Sequence, residues 1–157
     1  MQKLAGQIHT FLLKKKKTLA VAESCTGGLL SGLLTQRSGS SGFFLLGVVA
    51  YSNRAKRALL KVPAPILRKH GAVSSPVALA LAKNVRSLAK ADFGIGITGI
   101  AGPSGGTRDK PVGTVFIGAA GARGQLCRRF LFSGSRSQVR NKACIAALRL
   151  LCDLSAC

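Results

Sequence analysis

The sequence predicts an α/β fold, a three-layer α/β/α sandwich around a mixed, mostly parallel sheet. Three observations lead there. Short apolar, β-branched stretches alternate with helix-patterned stretches through the first two thirds of the chain. Two strand-like segments joined by "GARG" then form a hairpin, and a helical stretch closes the chain. The length of 157 residues, 47% apolar with 19 glycines, suits one domain, residues 1–157, with a real core and tight turns.

Taken in order, residues 2–13 carry Leu4, Ile8, Phe11 and Leu12 at helical spacing. "TLAVAE" (18–23) reads as a buried strand, and "TGGLLSGLLTQ" (26–36) as a helix with small residues for close packing. "SGSSG" (38–42) is a loop before a strand over 43–52, and 53–62 is a short helix closed off by Pro63 and Pro65. The clearest helix is 74–91, with Ser74 as N-cap and Pro76 in its first turn. A strand over 93–98, a glycine-rich loop over 99–111, paired strands over 112–120 and 125–134, and a helix over 137–154 complete the chain.

The formal net charge of +20, from 24 Lys+Arg against 4 Asp+Glu, attracts polyanions nonspecifically. Only Lys14–Lys17 forms a run, aromatic residues are scarce, and no zinc-finger, RRM or basic-zipper pattern accompanies the charge. Nucleic acid is therefore expected as a nonspecific partner only. Five cysteines without a CxxC pair argue against a zinc site or disulfide framework, and for thiols in a reducing, cytoplasmic setting. The longest apolar stretch, "FFLLGVVAY", is too short to cross a bilayer, so no membrane partner is expected.

Three short motifs fail on context. "GIGITG" matches a dinucleotide fingerprint, but its glycines lie within a strand rather than opening a helix. "GPSGG" lacks the helix that a nucleophile elbow requires, because "TRDKPVG" follows it. "SLAK" sits at the end of a helix without its companion elements.

"VAESCTGG" (21–28) survives. Ser24 falls where a buried strand meets a helix, the place where strand ends of open α/β sheets present ligand-binding groups. Amides opening a helix at Thr26, Gly27 and Gly28 would carry partial positive charge suited to a phosphate or oxyanion. An ordinary N-capping serine explains the same residues, and both readings stand at this point. "YSNRAK" adds Tyr51 and Ser52 at a strand end with Lys56 early in the next helix. "TGIAGPSGGTRDKPVG" is too long and too glycine-rich for a bare connection.

Together with "HGAVS" and with "GSR" and "VR" of the closing segment, these stretches resemble the carboxy-terminal domain of CinA proteins. The resemblance runs in order from about residue 6 to 151 and does not include the amino-terminal domain of longer CinA proteins. Stand-alone members act as nicotinamide mononucleotide amidohydrolases of Ser/Lys type. The resemblance thus implies Ser24 as nucleophile and Lys56 as general base, with Tyr51 and Thr98 in the active site and Arg136 at a basic substrate-binding position. Arg140 and the glycine loops, Gly99 and Gly102 included, would join Arg136 around the substrate phosphate. Oxyanion donors are expected around Cys25–Gly27 or Gly99–Ala101.

A lysine base needs its pKa lowered from ~10.4, by burial or by cations such as Arg54 and Arg57. Without the resemblance, Lys56 reads as a solvated helix-face lysine. Cys25 is expected to pack away from the nucleophile. Glu23, in the motif with Ser24, would hold Lys56, order the turn or bind substrate. Glu23, Asp92 and Asp109 all fall in family motifs, as if loss of acids had spared the site. The chemistry needs no metal or cofactor, and the resemblance suggests a homodimer acting on a small nucleotide. The rival reading is a non-catalytic competence or DNA-damage module that binds nucleic acid or protein through its basic surface. A third keeps the hydrolase chemistry on another amide nucleotide.

Overall fold

A computed structural model describes residues 1–155, so Cys157 and the end of the expected 1–157 domain lie outside the described residues. The elements run α1 (Gln2–Lys14), β1 (Leu19–Glu23), α2 (Leu29–Leu34), a 3-10 turn (Ser40–Gly42), β2 (Phe44–Val49), α3 (Asn53–Ala58) and α4 (Ala64–His70). Then come α5 (Ser75–Ala89), β3 (Phe93–Gly99), β4 (Thr114–Gly121), β5 (Gly124–Leu131) and α6 (Arg136–Ser155).

The five strands form one mixed sheet in the order β2-β1-β3-β4-β5. β1 pairs in parallel with β2 and β3, whereas β4 pairs antiparallel with both β3 and β5. β5 therefore points the same way as β1, β2 and β3, and only β4 runs against them. Alternation along β1 divides the core. Leu19 and Val21 join the cluster built with α1, α2 and α6, and Ala20 and Ala22 face the cluster under α3, α4 and α5. The sandwich has its three layers.

The rejected "GIGITG" shows what its glycines are for. Gly94 and Gly96 lie on the β3 face toward α5, where an added Cβ would collide with the carbonyls of Ala82 and Ala78. Gly118 of β4 meets the Ala78 carbonyl in the same way. Three absent side chains let α5 settle directly on the central strands, with Val77, Ala78, Leu81, Ala82 and Val85 as its buried stripe.

Three local expectations change. The helix expected over 26–36 begins only at Leu29, because Gly27 (φ 60) and Gly28 (φ 91) take a left-handed turn first. A helix over Ala64–His70 occupies a stretch read as a stop: Pro63 sits at its N-cap and Pro65 in its first turn, where neither breaks a helix. Ser74 is the N-cap residue of α5, but its hydroxyl donates to the Gly71 carbonyl at 2.9 Å instead of accepting from the helix.

Gly96→Ala should cost about 2 kcal/mol or more, because backbone of α5 and β3 must part to admit the methyl group. Urea unfolding of wild type and variant measures it, and a loss below about 0.5 kcal/mol would mean the helix is not in direct contact.

Candidate active site

Three parallel strands end on the same edge of the sheet and deliver Ser24, Tyr51 and Thr98–Gly99 there. The pairing continues one residue past β1. The Ser24 amide donates to the Ile97 carbonyl at 3.1 Å, and the Ala50 amide donates to the Glu23 carbonyl at 2.8 Å. Ser24 is thereby fixed from both sides before its side chain is considered.

Lys56 reaches this point from α3. Its helix is opened by Ser52, whose hydroxyl accepts from the Ala55 amide at 3.0 Å. A helical side chain leans toward its own N-terminus, so Lys56 extends back past the helix start. Its Nζ lies 3.0 Å from Ser24 Oγ, 3.0 Å from the Ala50 carbonyl and 3.4 Å from the Tyr51 carbonyl. The solvated-lysine reading fails, since Lys56 is only 2% exposed.

Burial lowers the Lys56 pKa from its ordinary 10.5, and this rather than the neighbouring arginines is the main cause. Among the described residues the ion pairs are Lys17–Asp92 and Arg128–Asp153, so no carboxylate holds Lys56 charged. Protonated, Nζ donates to all three acceptors; once it is neutral, two N–H bonds serve the carbonyls and the lone pair is left for the Ser24 hydroxyl proton.

Glu23 makes no ion pair with Lys56. It is completely buried, and its carboxylate accepts from the amides of Gly28, Leu30 and Ser31 and from the Ser31 hydroxyl, at 2.6–3.1 Å. Of its three candidate roles the structure selects ordering the turn. Two of the three amides expected to cradle an anion at Thr26–Gly28 are taken, because Gly28 donates to Glu23 and Gly27 to the Ser24 carbonyl. The Gly27 amide and that of Ile100, which donates to the Thr114 carbonyl, are no longer available as oxyanion donors.

Other predicted residues prove to brace the site. Thr98, buried, donates its hydroxyl to the Ala72 carbonyl at 2.8 Å, which ties "HGAVS" to the end of β3. Arg140 donates through Nε and Nη2 to the Thr26 carbonyl, at 3.1 and 2.6 Å, and clamps the nucleophile turn to α6. Thr26 is itself buried, and Ser52 is occupied in capping α3. Gly99 allows β3 to pass the Thr114 carbonyl, where a Cβ would stand 2.8 Å away.

The solvent side belongs to Arg136 and Tyr51. Arg136 donates to the Gly102 carbonyl and to the Tyr51 hydroxyl, each at 2.8 Å, bridging the glycine-rich loop and the end of β2. Both side chains are exposed and free to meet a ligand. Cys25 behaves as expected: it is in the core, and burial pushes its thiol up to about 11, too high for a competing nucleophile. A groove of about 680 Å³ beside α4 and α5 is lined by Leu60, Ile66 and Leu88 among others and includes neither Ser24 nor Lys56.

Two consequences are measurable. Glu23→Ala strands four donors and should cost at least about 3 kcal/mol in urea unfolding; a loss under about 1 kcal/mol would deny the turn its cap. Because the folded-state pKa of Lys56 is depressed, the unfolded chain binds more protons between that value and 10.5, so Lys56 should make stability rise with pH across this window. Lys56→Met should flatten that rise and be relatively more stable on its acid side, as read from melting temperature against pH.

The match to known proteins extends over this whole arrangement. The family model "CinA C-terminal domain" matches residues 1–155. A CinA-like protein from Syntrophus aciditrophicus is 52% identical over 149 residues, 94% of this chain and 36% of the relative. One from Anaeromyxobacter sp. (strain Fw109-5) is 49% identical over 150 residues, 96% of this chain and 37% of the relative. The chain thus spans about a third of the length of these curated relatives. Among solved structures, the competence/damage inducible protein CihA from Agrobacterium tumefaciens superposes with a TM-score of 0.96 at 37% identity, over 98% of this chain and 94% of that one. The competence damage-inducible protein A (ComA) from Klebsiella pneumoniae gives 0.94 at 34% identity, over 99% and 96%. The chain belongs to the CinA C-terminal domain family.

Proposed function

We propose that the chain is an amidohydrolase of Ser/Lys type that converts nicotinamide mononucleotide to nicotinate mononucleotide and ammonia. The observation that carries the reading is the buried Lys56 amine, 3.0 Å from Ser24 Oγ and without a carboxylate partner. An ion-paired lysine would stay protonated and be useless as a base at neutral pH; a desolvated one is poised to accept a proton.

In this mechanism Ser24 Oγ attacks the carboxamide carbon while its proton passes to Lys56 Nζ. Collapse of the tetrahedral intermediate breaks the C–N bond, Lys56 returns the proton to the departing nitrogen, and ammonia leaves. The nicotinoyl ester on Ser24 is then hydrolysed by water: Lys56 takes the water proton and returns it to Ser24 Oγ as the ester bond breaks, and the acid product loses its proton to solvent and leaves as the carboxylate. The Ala50 and Tyr51 carbonyls hold the amine in line for both transfers. Arg136 is the group best placed for the substrate phosphate, since it is exposed and would exchange neutral acceptors for an anionic one.

The test is ammonia and nicotinate mononucleotide released from nicotinamide mononucleotide by wild type and variants. Ser24→Ala and Lys56→Ala, verified as folded, should each lose about 10³-fold or more in kcat. Arg136→Ala should act mainly on KM, raising it about tenfold. Turnover surviving Ser24→Ala would remove the nucleophile from this reading, and a folded wild type without turnover would remove the substrate. The acid limb of kcat/KM should follow deprotonation of Lys56, so activity rises with pH up to that limb's midpoint, which lies below 10.5.

A further inference from the structure

A second constellation lies on the other side of the sheet edge. Arg128, Phe130 and Phe132 follow the two-residue repeat of β5 and its continuation, and so share one face. Lys142, Ile145, Ala146 and Arg149 follow the i, i+3, i+4, i+7 pattern of α6 and share another. The two faces enclose an open slot of about 480 Å³. Ala146 leaves room where a larger residue would fill it.

The slot has an aromatic wall and charged ends. The Phe130 and Phe132 rings stack with centroids 5.2 Å apart and planes 11° from parallel. Lys142 donates to the Ser133 carbonyl at 2.8 Å, which places it at the Phe132 end. Arg128 pairs with Asp153 at 2.9 Å, so the α6 residues nearest Arg128 are those toward the helix C-terminus, Arg149 among them. Asp153 occupies one guanidinium nitrogen of Arg128 and leaves others free; Arg149 is exposed. A slot of this size, with the edges of the stacked rings along one wall and surplus positive charge at its mouth, matches the face of a planar ring that carries an anionic group.

We propose that this slot binds a nucleotide, free or as one unit of a single strand, with its base against Phe130 and Phe132 and its phosphate on Arg128 and Arg149. The site is separate from Ser24 and Lys56 and does not depend on their chemistry. Adenine carries no carboxamide for the Ser24 pair to hydrolyse, so adenosine monophosphate is a clean probe.

The experiment is an NMR titration of the labelled full chain in about 0.15 M salt with adenosine monophosphate, adenosine, inorganic phosphate or a short thymidine oligonucleotide. Saturable shifts at Phe130, Phe132 and Ile145 with adenosine monophosphate are expected, with adenosine and phosphate each binding more weakly. Arg149→Ala and Phe130→Leu should each weaken binding about tenfold. Arg149 is exposed, so Arg149→Ala tests the slot even if Phe130→Leu unfolds. Tighter binding of the oligonucleotide that persists at raised salt and weakens in Phe130→Leu assigns the slot to single strands, and equal or weaker binding assigns it to the free nucleotide. The proposal is overturned if phosphate alone shifts these resonances as strongly, if the shifts cluster around Tyr51 and Ser24, or if Arg149→Ala binds as wild type does.

Discussion

The Glu23 carboxylate, sealed at the end of the inner strand β1, is the interaction on which the geometry of the candidate site depends. A buried charge without a counterion is costly unless its oxygens are supplied with donors. Here the first turn of α2 supplies them, three amides and one hydroxyl, and the partial positive charge of the helix start adds to the match. The five residues between β1 and α2 are consequently anchored at both ends, by strand pairing at Ser24 and by Glu23 at Gly28. Ser24 is the first of them. Its position is set by groups that do not react.

That arrangement also keeps the carboxylate and the amine from pairing. Glu23 and Lys56 are both buried near the end of β1, yet the carboxylate accepts every bond it makes from α2 and the amine takes its partners from Ser24 and from backbone. Had the two met, Lys56 would hold its proton more tightly and Glu23 would leave the turn uncapped. Neutral hydrogen-bond partners on each side let burial lower the amine's pKa unopposed by a carboxylate and keep the loop rigid at once.

The scarcity of acids becomes intelligible on the same terms. Glu23 caps a turn. Asp92 accepts from Lys17 and from the amide and hydroxyl of Thr18, tying the starts of β1 and β3 together; although its burial works the other way, these bonds hold its carboxyl below the usual carboxylate range. Asp153 pairs with Arg128. The retained acids do not spare the reacting groups as such; three of the four hold backbone or a neighbour in place, while +20 of net charge is carried by the surface. On that surface the stacked Phe130 and Phe132 are an exception to the general lack of aromatic groups, a pairing that composition does not reveal.

What the sequence determined by itself was the layer order and the stretches that meet at the candidate site. Alternating strands and helices, the "GARG" hairpin and the residues of "AESCTGG" and "YSNRAK" are local or motif-bound, and local signals survive in one dimension. The folded chain decided everything that depends on which distant atoms meet. Pro63 and Pro65 look like a stop until their place in the first turn of α4 is known, and Glu23 has three plausible partners until α2 turns its amides toward it. Thr98 reads as an active-site residue and Arg140 as a ligand of the substrate, but their donors are spent on the Ala72 and Thr26 carbonyls. Burial of Lys56 comes from strands and helices far apart in sequence, and burial is what moves its proton. Hydrogen bonds and desolvation are properties of neighbourhoods, and only the tertiary structure makes neighbours of residues 24, 56, 102 and 136.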